Sequence, residues 1–259
     1  MTTRTQPNTV LPGLADQMRS ELIKVRSVRS LRLLPLLAVL LAPIVALVVG
    51  STGSLEPDDT VMGGALTGVS VTLVVVAAWG ALLVTTEFGS GTIGPVLAAT
   101  PRRGTVLAAK ATVAAGVSTL IGAASPPLAY LVGILSIDTT KHAPGQLFPG
   151  LLGIGLCFPA VAVLGLAVGV VVRNSAGAIA LVGAHLVLPQ MTAAQAVGDL
   201  HRWVTIVAPS AVVGKLSQSS DAAPEIMGSL GGWPRLGLVL AGVAGALVAA
   251  RRIWHRADV

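Results

Sequence analysis

Long apolar blocks separated by short polar turns dominate this chain, and the lengths of the blocks carry the first information. Six stand out, over about 33–50, 61–85, 111–135, 147–172, 176–188 and 236–250. A hydrocarbon layer ~30 Å thick needs roughly 20 predominantly apolar helical residues to cross it, and a water-facing helix would interrupt such blocks with a polar stripe. The pattern predicts an all-α polytopic membrane protein with six transmembrane helices. Glu56-Pro57-Asp58-Asp59 turns the chain between the first two spans, and Arg173-Asn174-Ser175 between the fourth and fifth. Pro126-Pro127 removes two N–H donors from the third, which predicts a kink or break whose freed carbonyls neighbouring helices must satisfy. The fifth block is short, roughly 20 Å at helical rise. It stops at Pro189, so an oblique or incomplete crossing is expected. The connection 190–235 is mildly apolar, greasiest over 203–213, and predicts short outer helices dipping back toward the outer leaflet. Trp233 and Trp254 bracket the sixth span like aromatic anchors, about 31 Å apart along a helix.

Ahead of the first span, Leu14, Met18, Leu22, Val25 and Val28 recur at helical spacing, with Arg19, Lys24 and Arg26 off that stripe. This predicts an amphipathic helix lying on the membrane surface. Arg29 and Arg32 fall back onto the apolar side, so the helix should bend or end before the span begins. A secretory signal is the competing reading; its charged lead would be too long and its apolar stretch exceeds a normal h-region. The expected division is an N-terminal segment 1–32, a six-span domain 33–250 and a C-terminal segment 251–259.

Composition sharpens this picture. Of the 259 residues 53% are hydrophobic and only 11% charged, too few charges for a water-facing surface of ordinary size. The net charge of +6 does not point to nucleic acid, because the cations are neither interleaved with aromatics nor gathered into a basic module. Topology accounts for them. Arg4, Arg19, Lys24, Arg26, Arg29, Arg32, Arg102, Arg103, Lys110, Arg173, Arg251, Arg252 and Arg256 fall on one side of the alternating spans. Lys141, Arg202, Lys215 and Arg235 fall on the other. The positive-inside rule then places both termini in the cytoplasm. One cysteine, Cys157, excludes an internal disulfide framework and a thiol metal site.

The spans are poor in chemistry. Besides Cys157 and a tyrosine, the only ionisable side chain within the six blocks is His185, open to two readings: a lone proton carrier or a neutral, hydrogen-bonded interface residue. An ion-coupled carrier needs a relay of buried acids or bases, and none is present. No phosphate-cradling Gly-x-x-x-x-Gly-Lys-[Ser/Thr] occurs, nor a His-Glu-x-x-His or Gly-x-Ser-x-Gly motif. No cofactor is expected in this chain, and uphill work would have to come from a partner. Glycine pairs at Gly64/Gly68 and Gly165/Gly169 allow close helix approach, through either a specific dimer or ordinary packing.

The most specific segment lies between spans 2 and 3. Glu87-Phe88-Gly89-Ser90-Gly91-Thr92 is followed by Pro95, by Pro101-Arg102-Arg103 and by Ala109-Lys110. Gly89, Gly91 and Gly94 permit a sharp exit from the membrane, Thr92 can cap, and Pro95 suits the first turn of a short helix ending near Pro101. Glu87 has Arg102, Arg103 or a partner's cation as candidate counter-charges, and Phe88 offers apolar area for burial. The plainer alternative makes Glu87 a solvated cap and Arg102, Arg103 and Lys110 simple positive-inside residues. The pattern Glu-[Phe/Tyr]-x-x-Gly-Thr, Pro-x-Arg, Ala-Lys resembles that of permease subunits of type-2 ATP-binding-cassette exporters, and Ser20–Ser27 is similar to the surface helix of actinobacterial members. The resemblance implies that 87–104 is a cytoplasmic coupling helix receiving motion from an ATPase. It further implies two cytoplasmic ATPase subunits carrying ATP and Mg, a second permease copy or paralogue, surrounding membrane lipids, and a bacterial plasma membrane. The implied activity is export, with an apolar or amphiphilic cargo suggested by the uncharged spans. The rivals are a stand-alone secondary carrier or channel and a non-transporting immunity or scaffolding subunit.

Overall fold

The computed structural model describes residues 13–99, 103–191, 205–222 and 227–256, and every regular element among them is a helix. Leu14–Ser27 (α1) and Arg29–Thr52 (α2) divide at Val28, whose extended backbone (φ −83°, ψ 123°) ends one helix and begins the next. The break expected before the first span falls there. Val61–Gly89 (α3) starts on Thr60, whose side chain accepts the Gly63 N–H at 2.9 Å. Ile93–Ala99 (α4) is short and leads into Arg103–Ser136 (α5). Gly150–Val172 (α6) ends on Arg173 in the left-handed region, and Ser175–Met191 (α7) follows directly. Pro209–Ser217 (α8), a 3-10 turn at Ser220–Ala222, and Gly232–Arg256 (α9) complete the described helices.

Among the described residues, α2, α3, α5, α6 and α9 are long and apolar enough to cross a membrane. That gives five such helices where six spans were expected. The 17-residue α7 measures about 25 Å at helical rise, less than the ~30 Å layer. It continues past Pro189 to Met191, so the proline does not end it. The central pair is α3 and α6, whose most apolar windows are 61% buried, against 17% for α2 and 22% for α9. Outer faces such as Leu36, Leu40, Ile44 and Leu47 of α2 are left for lipid.

The helix-interior prolines show how bundle neighbours compensate for a missing N–H. Pro35 removes the normal partner of the Leu31 carbonyl, and the Trp79 indole N–H donates to that oxygen at 2.9 Å, fully buried. Trp79→Phe is expected to cost about 1 kcal/mol, read as a lower unfolding midpoint in detergent. Pro126 and Pro127 do not break α5, which is continuous to Ser136. Pro126 frees the carbonyl of Gly122, and Pro159 frees that of Gly155. These glycines face each other across the α5–α6 contact: a Cβ on Gly122 would lie 2.6 Å from the Gly155 oxygen. A side chain on Gly122 would not fit there, and the absence of one lets the two backbones approach at the freed carbonyls.

Both glycine pairs noted in the sequence are used within the chain. Gly64 and Gly68 face Leu55, Ala42 and Val45, while Gly165 and Gly169 face Ala77, Ala81 and Val84 of α3. The helix in the long connection, α8, buries Val212, Val213 and Leu216 against its neighbours α6 and α9 instead of spreading on a lipid surface.

Candidate functional site

The last turn of α3 gathers the elements at the basic end of the bundle. Thr85, Glu87 and Phe88 point in different directions from that turn, and each meets a different partner. Thr85 Oγ1 accepts a hydrogen bond from Ser175 Oγ at 2.9 Å, tying α3 to the start of α7. Phe88 packs edge-on against Trp254 near the end of α9, with ring centroids 6.2 Å apart. The Arg173 guanidinium lies 5.6 Å from the same ring, in the turn between α6 and α7. Trp254 is fixed in turn by donating its indole N–H to the Arg103 carbonyl at 2.9 Å, at the first residue of α5. Trp254 is therefore buried at 3% exposure, an internal strut and not the lipid-facing anchor its position suggested.

Glu87 enters a buried ionic cluster. Lys110, fully buried on α5, donates to Glu87 Oε1 at 2.7 Å, to Glu21 Oε1 and Oε2 at 2.9 and 3.0 Å, and to the Leu83 carbonyl at 3.1 Å. Its three protons thus serve three partners. Lys24 pairs with Glu87 and, at 3.1 Å, with Glu21. Two carboxylates and two ammonium groups balance, which is the condition for burying charge without a large penalty. Glu87 thus meets the ammonium groups of Lys110 and Lys24, which were not among its expected counter-charges; of those, Arg102 lies outside the described residues. The reason is geometric: Lys110 sits two turns into α5, where that helix crosses the end of α3, within one side-chain length of Glu87. Glu87 Oε2 is buried with no hydrogen-bond partner among the described residues.

The cluster explains the orientation of α1. Its stripe of Leu14 and Leu22 is exposed, together with Ile23, whereas Glu21 is buried and Lys24 half-buried. Met18 and Val25 are half-buried, and Arg26 is exposed. The helix therefore turns Glu21 and Lys24 into the bundle between half-buried Met18 and Val25, and leaves Leu14, Leu22 and Ile23 outside together with Arg19 and Arg26. Burial pulls the Lys24 ammonium downward, but the carboxylates of Glu21 and Glu87 outweigh it and hold its pKa above 10.5. A raised lysine pKa stabilises the folded form below the ordinary value and loses that contribution only as pH rises through the raised one. Tryptic cleavage at Arg19 and Arg26, measured relative to an unstructured reference peptide, should accordingly not change with pH across the neutral range.

The expected short helix between spans 2 and 3 is α4. Ile93 and Leu97, one turn apart, are buried at 5% and 8% exposure. Thr92, Pro95 and Ala98 are exposed, and Gly91 adopts φ +69° with open space around it. Thr92 places its hydroxyl 2.9 Å from Ser90 Oγ, and its carbonyl accepts the Val96 N–H. Pro101 and Arg102 lie outside the described residues. Arg103, Glu87 and Phe88 are brought together at the junction, while Gly91, Thr92 and Pro95 form a small, outward surface beside it.

Sequence reasoning did not single out Glu21, Ser175 or Trp254 as partners of this turn. A signal existed for the first: Glu21 and Lys24, at i,i+3, are neighbours on one side of the helix, and Glu21 at i+7 from Leu14 interrupts its apolar stripe. Arg235 was also missed. Read as an ordinary outer cation, it is 1% exposed and donates to the carbonyls of Leu230, Thr205 and Met227, fastening the segment before α9. No group of three metal-ligating side chains occurs among the described residues. A scan of protein-family models and a search of curated proteins return no match to this chain.

Proposed function

We propose that this chain is the membrane-spanning permease subunit of an ATP-binding-cassette exporter, moving an apolar or amphiphilic cargo with energy from separate ATPase subunits. One observation carries the reading: a single turn, Thr85–Phe88, is bonded to α1, α5, α7, α9 and the α6–α7 turn, and the outward-facing α4 follows it immediately. A push on α4 reaches each of these elements through the contacts of that one turn. This supports the coupling role that the Glu-Phe-x-x-Gly-Thr resemblance implies. ATP and Mg belong to the two cytoplasmic ATPases, and a second permease copy or paralogue completes the path. The basic end faces the cytoplasm of a bacterial plasma membrane. Uncharged middles of the described long helices favour an apolar or amphiphilic drug, lipid or peptide.

The test is co-purification from the native host, followed by ATP hydrolysis of the assembled complex. Ala98→Trp places bulk on the exposed face of α4 and is expected to lower substrate-stimulated hydrolysis at least tenfold, with an unchanged unfolding midpoint. Phe88→Ala should lower it as well, by uncoupling α3 from α9 and Arg173. Full hydrolysis and export in both variants, or the consistent absence of an ATPase from the eluate, would count against the reading. Vesicles holding this chain alone should concentrate no solute.

A further inference from the structure

α5 and α9 approach each other near the basic end without closing the space between them. A furrow of about 250 Å³ remains, lined by Gly104, Leu107, Ala108 and Ala111 of α5 and by Leu247 and Arg251 of α9. Leu107, Ala108 and Ala111 recur at i, i+1 and i+4, so one face of that helix forms one side. Arg251 also lines an adjoining open recess of about 390 Å³, formed among the side chains of Val248, Arg252, His255 and Arg256 on the same helix. Its basic side chains are exposed, while Trp254 between them is turned inward by its bond to Arg103 and its contact with Phe88. That pinned indole fixes the rotation of the last α9 turn, so the cations project outward beside the furrow. A Cβ on Gly104 would already lie 3.4 Å from His255 Nε2, which places the imidazole beside that lining residue.

We propose that this furrow and recess form a binding site for one anionic phospholipid, its phosphate among Arg251, Arg252 and Arg256 and an acyl chain laid between α5 and α9. An apolar trough beside a cationic rim is complementary to that amphiphile in both its parts, whereas a water-soluble anion would use the rim alone. Arginine suits the phosphate because its planar fork donates two parallel hydrogen bonds. Lodged there, the lipid bridges α5 and α9, helices already joined through Trp254 and Arg103. The inference needs only the membrane placement of these two helices and is independent of the transport reading.

The probe is the purified full-length chain, delipidated in detergent and titrated with phosphatidylglycerol or phosphatidylcholine under native mass spectrometry. Phosphatidylglycerol should bind at least tenfold more tightly. A basic side chain near a charged membrane surface contributes about fivefold, so the triple substitution Arg251→Gln, Arg252→Gln, Arg256→Gln should remove that preference. A matched triple at Arg19, Arg26 and Arg29, exposed elsewhere at the same end, should retain it. Ala108→Phe keeps every charge and fills the trough; it should weaken phosphatidylglycerol at least fivefold. Glycerol phosphate, the headgroup without chains, should not compete at lipid-equivalent concentrations. Equal losses in the two triples, an unaffected Ala108→Phe variant, or effective competition by glycerol phosphate would each overturn the site, leaving only diffuse surface charge or a free-anion pocket.

Discussion

Lys110→Met is expected to lower the stability of the chain by about 3–5 kcal/mol, the usual cost of removing one partner from a buried ion pair. The substitution is close in volume, so the loss is electrostatic and not a packing defect. Without the ammonium, Glu21 and Glu87 face each other at 2% and 3% exposure with Lys24 as the remaining described cation. One carboxylate must then take up a proton, or α1 must lift away from α5. Either outcome frees α1, so tryptic cleavage at Arg19 and Arg26 should accelerate. The companion variant Lys110→Met, Glu87→Met removes one acid with one base and leaves Glu21 paired to Lys24. Because replacing a buried pair by apolar groups is often close to neutral, the double variant should recover most of the lost unfolding midpoint. Lys110→Arg should not: a five-donor fork does not fit a position that supplies three compact bonds. A double variant no more stable than the single one would show that charge balance is not what holds the cluster.

Much of this architecture is legible in the sequence because it follows from local rules. Block lengths give the long helices, the arginines after Val28 mark the break between α1 and α2, and the glycines and prolines after Phe88 mark the exit into α4. Relations between helices are less accessible. Glu21 and Lys110 are 89 residues apart, and periodicity tells which face of α1 is polar without telling which helix will receive it. Trp254 illustrates the same gap. An aromatic at the end of an apolar block has the signature of an interfacial anchor, yet the opposite signature, burial against Phe88, comes from a ring brought there by α3. Pro126-Pro127 misleads for a related reason. A proline's cost is fixed locally, but whether the helix continues is set by its neighbours, here α6, whose Gly155 packs against Gly122. The short α7 stays ambiguous because length and apolarity alone do not say how a 17-residue helix is seated.

Gly80→Leu and Gly165→Leu are expected to be the most damaging substitutions in the transmembrane helices. α3 and α6 run in the same direction, both ending at the junction, and touch backbone to backbone. A Cβ at Gly80 would collide with the Ala162 carbonyl oxygen, and one at Gly165 with that of Ala77. These obstacles are main-chain atoms and cannot rotate aside, so the helices must separate along much of their contact. In a lipid environment that contact rests on close packing between small residues, with little hydrophobic drive to restore it. Overpacking of a tight core costs about 1–3 kcal/mol and at times more, and leucine at either site should prevent recovery of folded chain. Alanine should still lower the unfolding midpoint, although it is the better helix former. Gly245→Ala provides the control: nothing lies within 4 Å of that position, so the helix propensity gain of about 1 kcal/mol should act unopposed. Gly80 lies about two turns from Glu87, so even a tolerated separation displaces Phe88 from Arg173 and Trp254. On the proposed permease reading, Gly80→Ala should therefore depress ATP hydrolysis by the assembled complex more than its effect on the midpoint accounts for, and equal proportional losses in the two measurements would place the damage in stability alone.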